Sequence, residues 1–230
     1  MKKILSIAIA LTFMTDTPSL FAQKSDEEPQ SSESMATYML KRLGEREAAA
    51  FKRYEKAMAT EDIRSIEAEL QSIVDGYEKL ISVAKGYSPV YISFGMFLHR
   101  TGERKASNAM LMRADEIDPY HAIVKNQLGN YLAEEGKYDQ ALAFYQMAID
   151  LNPNEPLYHY QTGNLLFSYK SFFIDDKLFL PDGFDLQMQE SFRTAAMLNP
   201  SHLPYRLRYA QSFFDVSRPN WDAAIEEWQQ

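Results

Sequence analysis

LGNYLAEEGKYDQALAFYQMAIDLNP, residues 128–153, reads as two short helices with a tight turn between them. In its second half Leu142, Tyr145, Ala148 and Ile149 recur at steps of one, three and four, which places them on one helix face. Gly136 closes the first helix, where a residue that tolerates positive φ is needed. Pro153 closes the second, because proline cannot continue a helix. The same punctuation returns at a fixed step of 34 residues, in Gly95, Gly129 and Gly163 and in Pro119 and Pro153. Laying 88–121 over 122–155 matches Phe94-Gly95 to Leu128-Gly129, Gly102 to Gly136 and Ser107 to Ala141. It also matches Leu111 to Tyr145, Ala114 to Ala148 and Asp118-Pro119 to Asn152-Pro153. The spacing predicts helices over 89–101, 105–116, 123–135 and 139–150. A constant period of this length marks a stack of helical hairpins.

The small residues have a packing reason. Gly95 and Gly129 remove a side chain where two helices cross, and Ala114, Ala141 and Ala148 do the same from the second helix. Tyr145 and Phe192 fill the wider gaps. Together these residues resemble the tetratricopeptide repeat (TPR). Residues 128–153 match it closely, with Lys125 where the family has an aromatic, and the preceding unit has Ser107 in place of a usual alanine. The third unit begins at Pro156 and keeps Gly163, Phe192, Ala195 and Asn199-Pro200. Its glycine and proline lie 37 residues apart instead of 24, so 13 residues are inserted between its helices. The fourth has Ala210 at the glycine position, then Trp221, Ala224 and Trp228, and stops at Gln230 inside its second helix. The resemblance thus covers 88–121, 122–155, 156–202 with an insertion at 171–185, and the incomplete 203–230.

The resemblance implies an all-α fold, a right-handed solenoid of about 3.5 helical hairpins. It also implies a scaffold, not an enzyme, that holds a protein or extended peptide in its inner groove. The groove positions carried over are Ile92, Met96 and His99 from the first unit, and Asn126 and Asn130 from the second. The third contributes Tyr160, Asn164 and Phe167, and the fourth Leu207, Gln211 and Phe214. They fall on one side of each first helix, at steps of three or four. One TPR subfamily clamps a C-terminal carboxylate with lysines, asparagines and an arginine. Asn130 and Arg208 match that clamp, but Asn126 and Pro204 stand where its lysines would be. An extended, largely uncharged peptide is therefore the expected occupant.

Residues 1–22 read as a bacterial secretory signal: Lys2-Lys3, an apolar run over 4–14, and Leu20-Phe21-Ala22 at the cut. The run is too short to span a bilayer as a helix. The chain has no cysteine, which excludes a lipid-modified N-terminus and leaves an exported fold to rely on packing. Its net charge is −8, and losing Lys2, Lys3 and Asp16 with the signal makes it one unit more negative. An acidic exported chain is a poor partner for nucleic acid or anionic lipid. Residues 23–33, QKSDEEPQSSE, read as a disordered linker. Two longer helices come next, over 34–58 and 61–85 within an N-terminal helical hairpin of 34–87. Leu40, Leu43, Phe51, Tyr54 and Met58 make one stripe; Ile63, Ile66, Leu70, Ile73, Tyr77, Leu80 and Ala84 make the other. This hairpin reads either as a cap over the first face of the stack or as a coiled-coil arm that makes a homodimer through 34–85.

No phosphate loop, HExxH motif, nucleophile elbow or CxxC is present. His99, His121, His159 and His202 share no helix at metal-binding spacing, so neither a metal nor another cofactor is expected. The insertion SFFIDDKLFLPDGFD, residues 171–185, admits three readings. It folds back over its own repeat, or contacts a partner, or uses Asp175, Asp176, Asp182 and Asp185 for calcium around a Pro181-Asp182-Gly183 turn. The chain as a whole reads as a periplasmic or secreted interaction scaffold. The alternative is a structural subunit of a cell-envelope assembly that self-associates through its N-terminal helices.

Overall fold

The structure, a computed structural model, describes residues 32–57, 63–175 and 180–229. The signal segment, and the linker as far as residue 31, lie outside them. Every regular element among the described residues is a helix. In order these are α1 (Ser32–Ala57), α2 (Ile63–Val83), α3 (Ser88–Arg100), α4 (Arg104–Ile117), α5 (Ala122–Glu134) and α6 (Tyr138–Leu151). After them come α7 (Pro156–Ser168), α8 (Lys170–Asp175), α9 (Pro181–Leu198), α10 (Leu203–Ser212) and α11 (Trp221–Gln229). The all-α expectation and the hairpin order hold, and the four repeat helices from α3 to α6 end within a residue of their expected bounds. Ser32 and Glu33, expected in the linker, instead open α1.

The chain divides into two compact units, one ending at Pro119 and one beginning at Tyr120. The first repeat, α3 and α4, thus falls in one unit with α1 and α2, and the reason is packing. Leu40, Leu43, Phe51, Ile66, Leu70, Ile73, Tyr77 and Leu80 share one core with Val90, Phe94, Phe97 and Leu98 of α3. The described core residues of the two N-terminal stripes thus pack on each other and on the first repeat; Met58 lies outside the described residues. Gly76, which the repeat pattern gave no reason to single out, lets α2 approach α1: a Cβ there would lie 2.5 Å from Leu43 Cδ2. A polar tie crosses the same helices. The Tyr77 hydroxyl donates to Glu47 at 3.1 Å, and Arg100 donates to the other carboxylate oxygen at 3.0 Å while lying 3.7 Å over the Phe51 ring. Burial pushes the Glu47 carboxyl up, against the downward pull of Arg100 and Tyr77.

Within each hairpin the small residues do what their spacing requires. A Cβ on Gly95 would meet Leu111 at 2.9 Å, one on Gly129 would meet Tyr145 at 2.6 Å, and one on Gly163 would meet Phe192 at 2.7 Å. Ser107 is polar for a local reason: its buried hydroxyl donates to the Gly95 carbonyl at 2.8 Å. Gly102 and Gly136 hold φ of 83° and 77°, left-handed values that favour glycine at a helix end.

In the second unit α5 packs on α6, α7 on α9, and α10 on α9 and α11. Its core joins Ala141, Tyr145, Leu166, Phe173, Phe184, Phe192 and Phe213. The insertion corrects one expectation. Pro181-Asp182-Gly183 is the first turn of α9 and not a loop turn. Proline suits the first helical positions, where its missing N–H costs no hydrogen bond. Three of the segment's aromatics pack on the repeat: Phe173 and Phe184 are completely buried, and Phe172 meets Tyr138 edge-on at 5.2 Å, whereas Leu180 is exposed and 176–179 lie outside the described residues.

Candidate peptide-binding face

In the first unit Ile92 is buried, while Met96 and His99 are partly buried. In the second unit the candidates sit on α5, on α7 and at α10 with the turn after it, and they behave differently from one another.

On α5, Asn126 is buried and neither side-chain amide atom has a hydrogen-bond partner. Asn130 is partly buried and committed. Its Oδ1 accepts from the Tyr145 hydroxyl at 2.7 Å, and its Nδ2 donates to Gln127 Oε1 at 3.2 Å. Burial holds that tyrosine hydroxyl far above its ordinary pKa, so it stays a proton donor to Asn130. The asparagine that the sequence offers to a peptide backbone is thus already part of the hairpin.

On α7, Tyr160, Asn164 and Phe167 succeed one another at steps of four and three. Tyr160 lies 4.8 Å from Tyr205 and 6.1 Å from Phe192, which fixes its ring as a wall. Asn164 is partly exposed. Phe167 is 44 % exposed, and the Arg208 guanidinium lies 4.1 Å from its ring centre. Leu207 and Gln211 of α10 are exposed, as is Phe214 just beyond it.

Arg208 joins these parts, and the groove positions alone did not include it. Its guanidinium also lies 4.2 Å from the Phe192 ring, and Nη1 donates to Asp215 at 2.8 Å. Nη2 is buried and has no partner. Its place one residue after Leu207, and its match to the clamp arginine, were the available signals. A second ion pair braces the turn after α10. Lys170 meets Asp185 at 2.5 Å, and the other Asp185 oxygen accepts from the Ser217 N–H at 2.7 Å. Burial alone would raise the Asp185 carboxyl, but hydrogen bonds from Lys170 and Ser217 outweigh it and hold the group below its ordinary pKa. Of the four aspartates considered for calcium, Asp185 is spent on this brace, and Asp176 lies outside the described residues.

Among the described residues no cluster of three or more His, Asp or Glu side chains is placed to hold a metal ion. The arrangement offers aromatic surface, side-chain amides and a buried guanidinium, which are means of binding. No described helix is long and apolar enough to cross a membrane.

Residues 129–168 match the family model described as TPR repeat. No curated protein matches the chain in sequence. Solved structures match in fold. MamA from Desulfovibrio magneticus RS-1 superposes with a TM-score of 0.54 at 12 % identity, over 81 % of this chain and 93 % of that one. YrrB, described as a TPR protein with an unusual peptide-binding site, gives 0.52 at 18 % identity, over 72 % of this chain and 81 % of that one. Human IFIT1, solved as a dimer with m7Gppp-AAAA, gives 0.51 at 16 % identity, over 88 % of this chain but 41 % of that one. The TPR reading of the repeats is borne out, and the likeness to these structures is one of fold.

Proposed function

We propose that this chain is an exported interaction scaffold, without turnover of its own, that holds an extended peptide on the α7–α10 face of its second unit. The observation that carries the reading is the half-exposed Phe167, backed by Arg208 and continued along the groove positions by exposed Leu207 and Phe214. Aromatic faces bury peptide side chains, and the Asn164 amide, one turn from Phe167, is suited to pair with peptide backbone. The guanidinium behind Phe167 is neutralised by Asp215, so the face carries little net charge toward a ligand. The peptide-binding site in the printed description of YrrB supports the class of ligand without naming this one.

The test begins with a random peptide library displayed on phage and panned on the chain. A selected peptide is then titrated into wild type and into Asn164→Ala with Phe167→Ala. The double variant is expected to lose on the order of 1–3 kcal/mol if the amide holds a buried backbone group. Affinity should vary little between low and high salt. Equal binding by the double variant removes the reading. Asn130 is left out of the pair because its oxygen already serves Tyr145.

Export rests on residues 1–22. Fusing residues 1–30 to a reporter is expected to carry it across the inner membrane and release a shortened product. An exported protein that retains Met1 on N-terminal sequencing would overturn it.

A further inference from the structure

Two tyrosines meet where the second hairpin joins the third. Tyr138 opens α6 and Tyr169 follows the last residue of α7. Their ring centroids lie 3.7 Å apart, with the planes 20° from parallel. Aromatic pairs ordinarily settle with centroids about 4.5–7 Å apart, so this stack is unusually close. The two hydroxyls share a hydrogen bond. Nearly parallel rings whose hydroxyls meet bring the carbons beside each hydroxyl face to face. The start of the insertion holds the pair: Phe172 of α8 meets Tyr138 edge-on at 5.2 Å, and the Phe173 N–H donates to the Tyr169 carbonyl at 3.3 Å. Both tyrosines are partly exposed, so a diffusing oxidant has access to them. Tyr160 and Tyr205, in the same unit, lie 4.8 Å apart with planes 49° from parallel and lack this alignment.

A phenol that loses an electron also sheds its hydroxyl proton, and the phenoxyl radical left behind carries unpaired spin on the oxygen and on the carbons beside it. From the close stack, the shared hydroxyl bond and the access, we infer that Tyr138 and Tyr169 are a dityrosine site, at which a peroxidase acting with hydrogen peroxide joins α6 covalently to the end of α7. Each phenol gives up one electron and one proton. The two radicals then pair, forming one carbon–carbon bond between ring positions next to the hydroxyls. Each of those carbons loses its hydrogen as a proton, each oxygen regains one, and both rings are phenols again. The chain has lost two hydrogen atoms, which reduce one hydrogen peroxide to two waters. The bond supplies what the composition lacks. The chain has no cysteine, so no disulfide can tie one hairpin to the next. A covalent crosslink that closes a long loop stabilises chiefly by restricting the unfolded chain. Neither tyrosine is a groove position, so the inference stands apart from peptide binding.

The test treats the dilute full chain with a haem peroxidase and hydrogen peroxide, raising the dose until Tyr120, 78 % exposed, is modified. Lys137 and Lys170 bound a single tryptic peptide, residues 138–170, that contains both rings. Mass spectrometry is expected to find that peptide lighter by two hydrogen atoms, with dityrosine fluorescence, and a second cut at Asp150 should leave its halves joined. Tyr138→Phe and Tyr169→Phe each keep a ring in the stack and are expected to abolish the link. Circular dichroism establishes that both variants are folded. Wild type oxidised in urea should also lose the link, since the stack exists only in the folded chain. The linked chain, isolated and compared with the unlinked one, should unfold at a higher urea midpoint. Three results overturn the inference. A link that survives in either phenylalanine variant assigns it to another pair. Equal linking in urea removes the role of the fold. Chain-to-chain products through Tyr120 with no link inside the 138–170 peptide show that the stack does not couple.

Discussion

At the scale of single residues, two side chains show how burial assigns roles. Asp185 is almost covered, yet it stays ionised because Lys170 and the Ser217 N–H both reach it. Its folded pKa lies below the unfolded value, so its contribution to stability is present above an unfolded pKa of about 4 and is lost as pH falls through the folded value. Asp185→Asn is expected to cost on the order of 1–3 kcal/mol at neutral pH, since it weakens two charge-assisted bonds and leaves Lys170 only the Asp215 carbonyl at 3.3 Å in place of a carboxylate. In urea titrations the gap between variant and wild type should narrow as pH drops below about 4, as protonated Asp185 loses the same bonds. A gap that is constant with pH would contradict the assignment. Asn130 makes the complementary point. The repeat spacing offered it as a groove position, but its bond to Tyr145 spans 15 residues and depends on how α6 lies on α5. Spacing along one helix carries no information about such a partner.

At the scale of elements, legibility tracked the punctuation. Helices α3 to α6 are bounded by Gly102, Pro119, Gly136 and Pro153, whose backbone demands are local, and their ends fall close to where those residues put them. The insertion was harder because Pro-Asp-Gly serves both in turns and at the start of a helix. The deciding factor is tertiary: Phe173 and Phe184 have a core to enter, and extending α9 by its first turn places Phe184 there. Phe173 and Phe184 therefore belong to the core of the second unit. Phe184→Ala is expected to cost about 3–5 kcal/mol, the range for truncating a buried phenylalanine. The denaturant midpoint reads this directly; a midpoint equal to wild type would return the segment to the status of a surface loop. Helices α1 and α2 gave the opposite lesson. Their stripes were plain in the sequence, but their packing with α3, whose Phe94 and Phe97 share the core of those stripes and stack or tilt against Tyr77, was not.

At the scale of the molecule, the repeat divides labour between fold and site. Glycine, alanine and aromatic positions fix the hairpins, and their spacing was enough to predict an all-helical chain. Other residues of the first helices, in the second unit, form an aromatic and amide face on α7 and α10. Fold likeness to MamA, YrrB and IFIT1 does not choose among ligands, because one fold carries sites of different chemistry. In the proposed complex an extended peptide lies on the α7–α10 face and not on the outer helices. Site-directed photocrosslinking tests this placement most directly. With p-benzoylphenylalanine at position 167, the peptide selected by panning should be captured on illumination. With the same group at Met147, an exposed position on α6, it should not. Capture from position 147 with none from 167 would contradict the proposed placement.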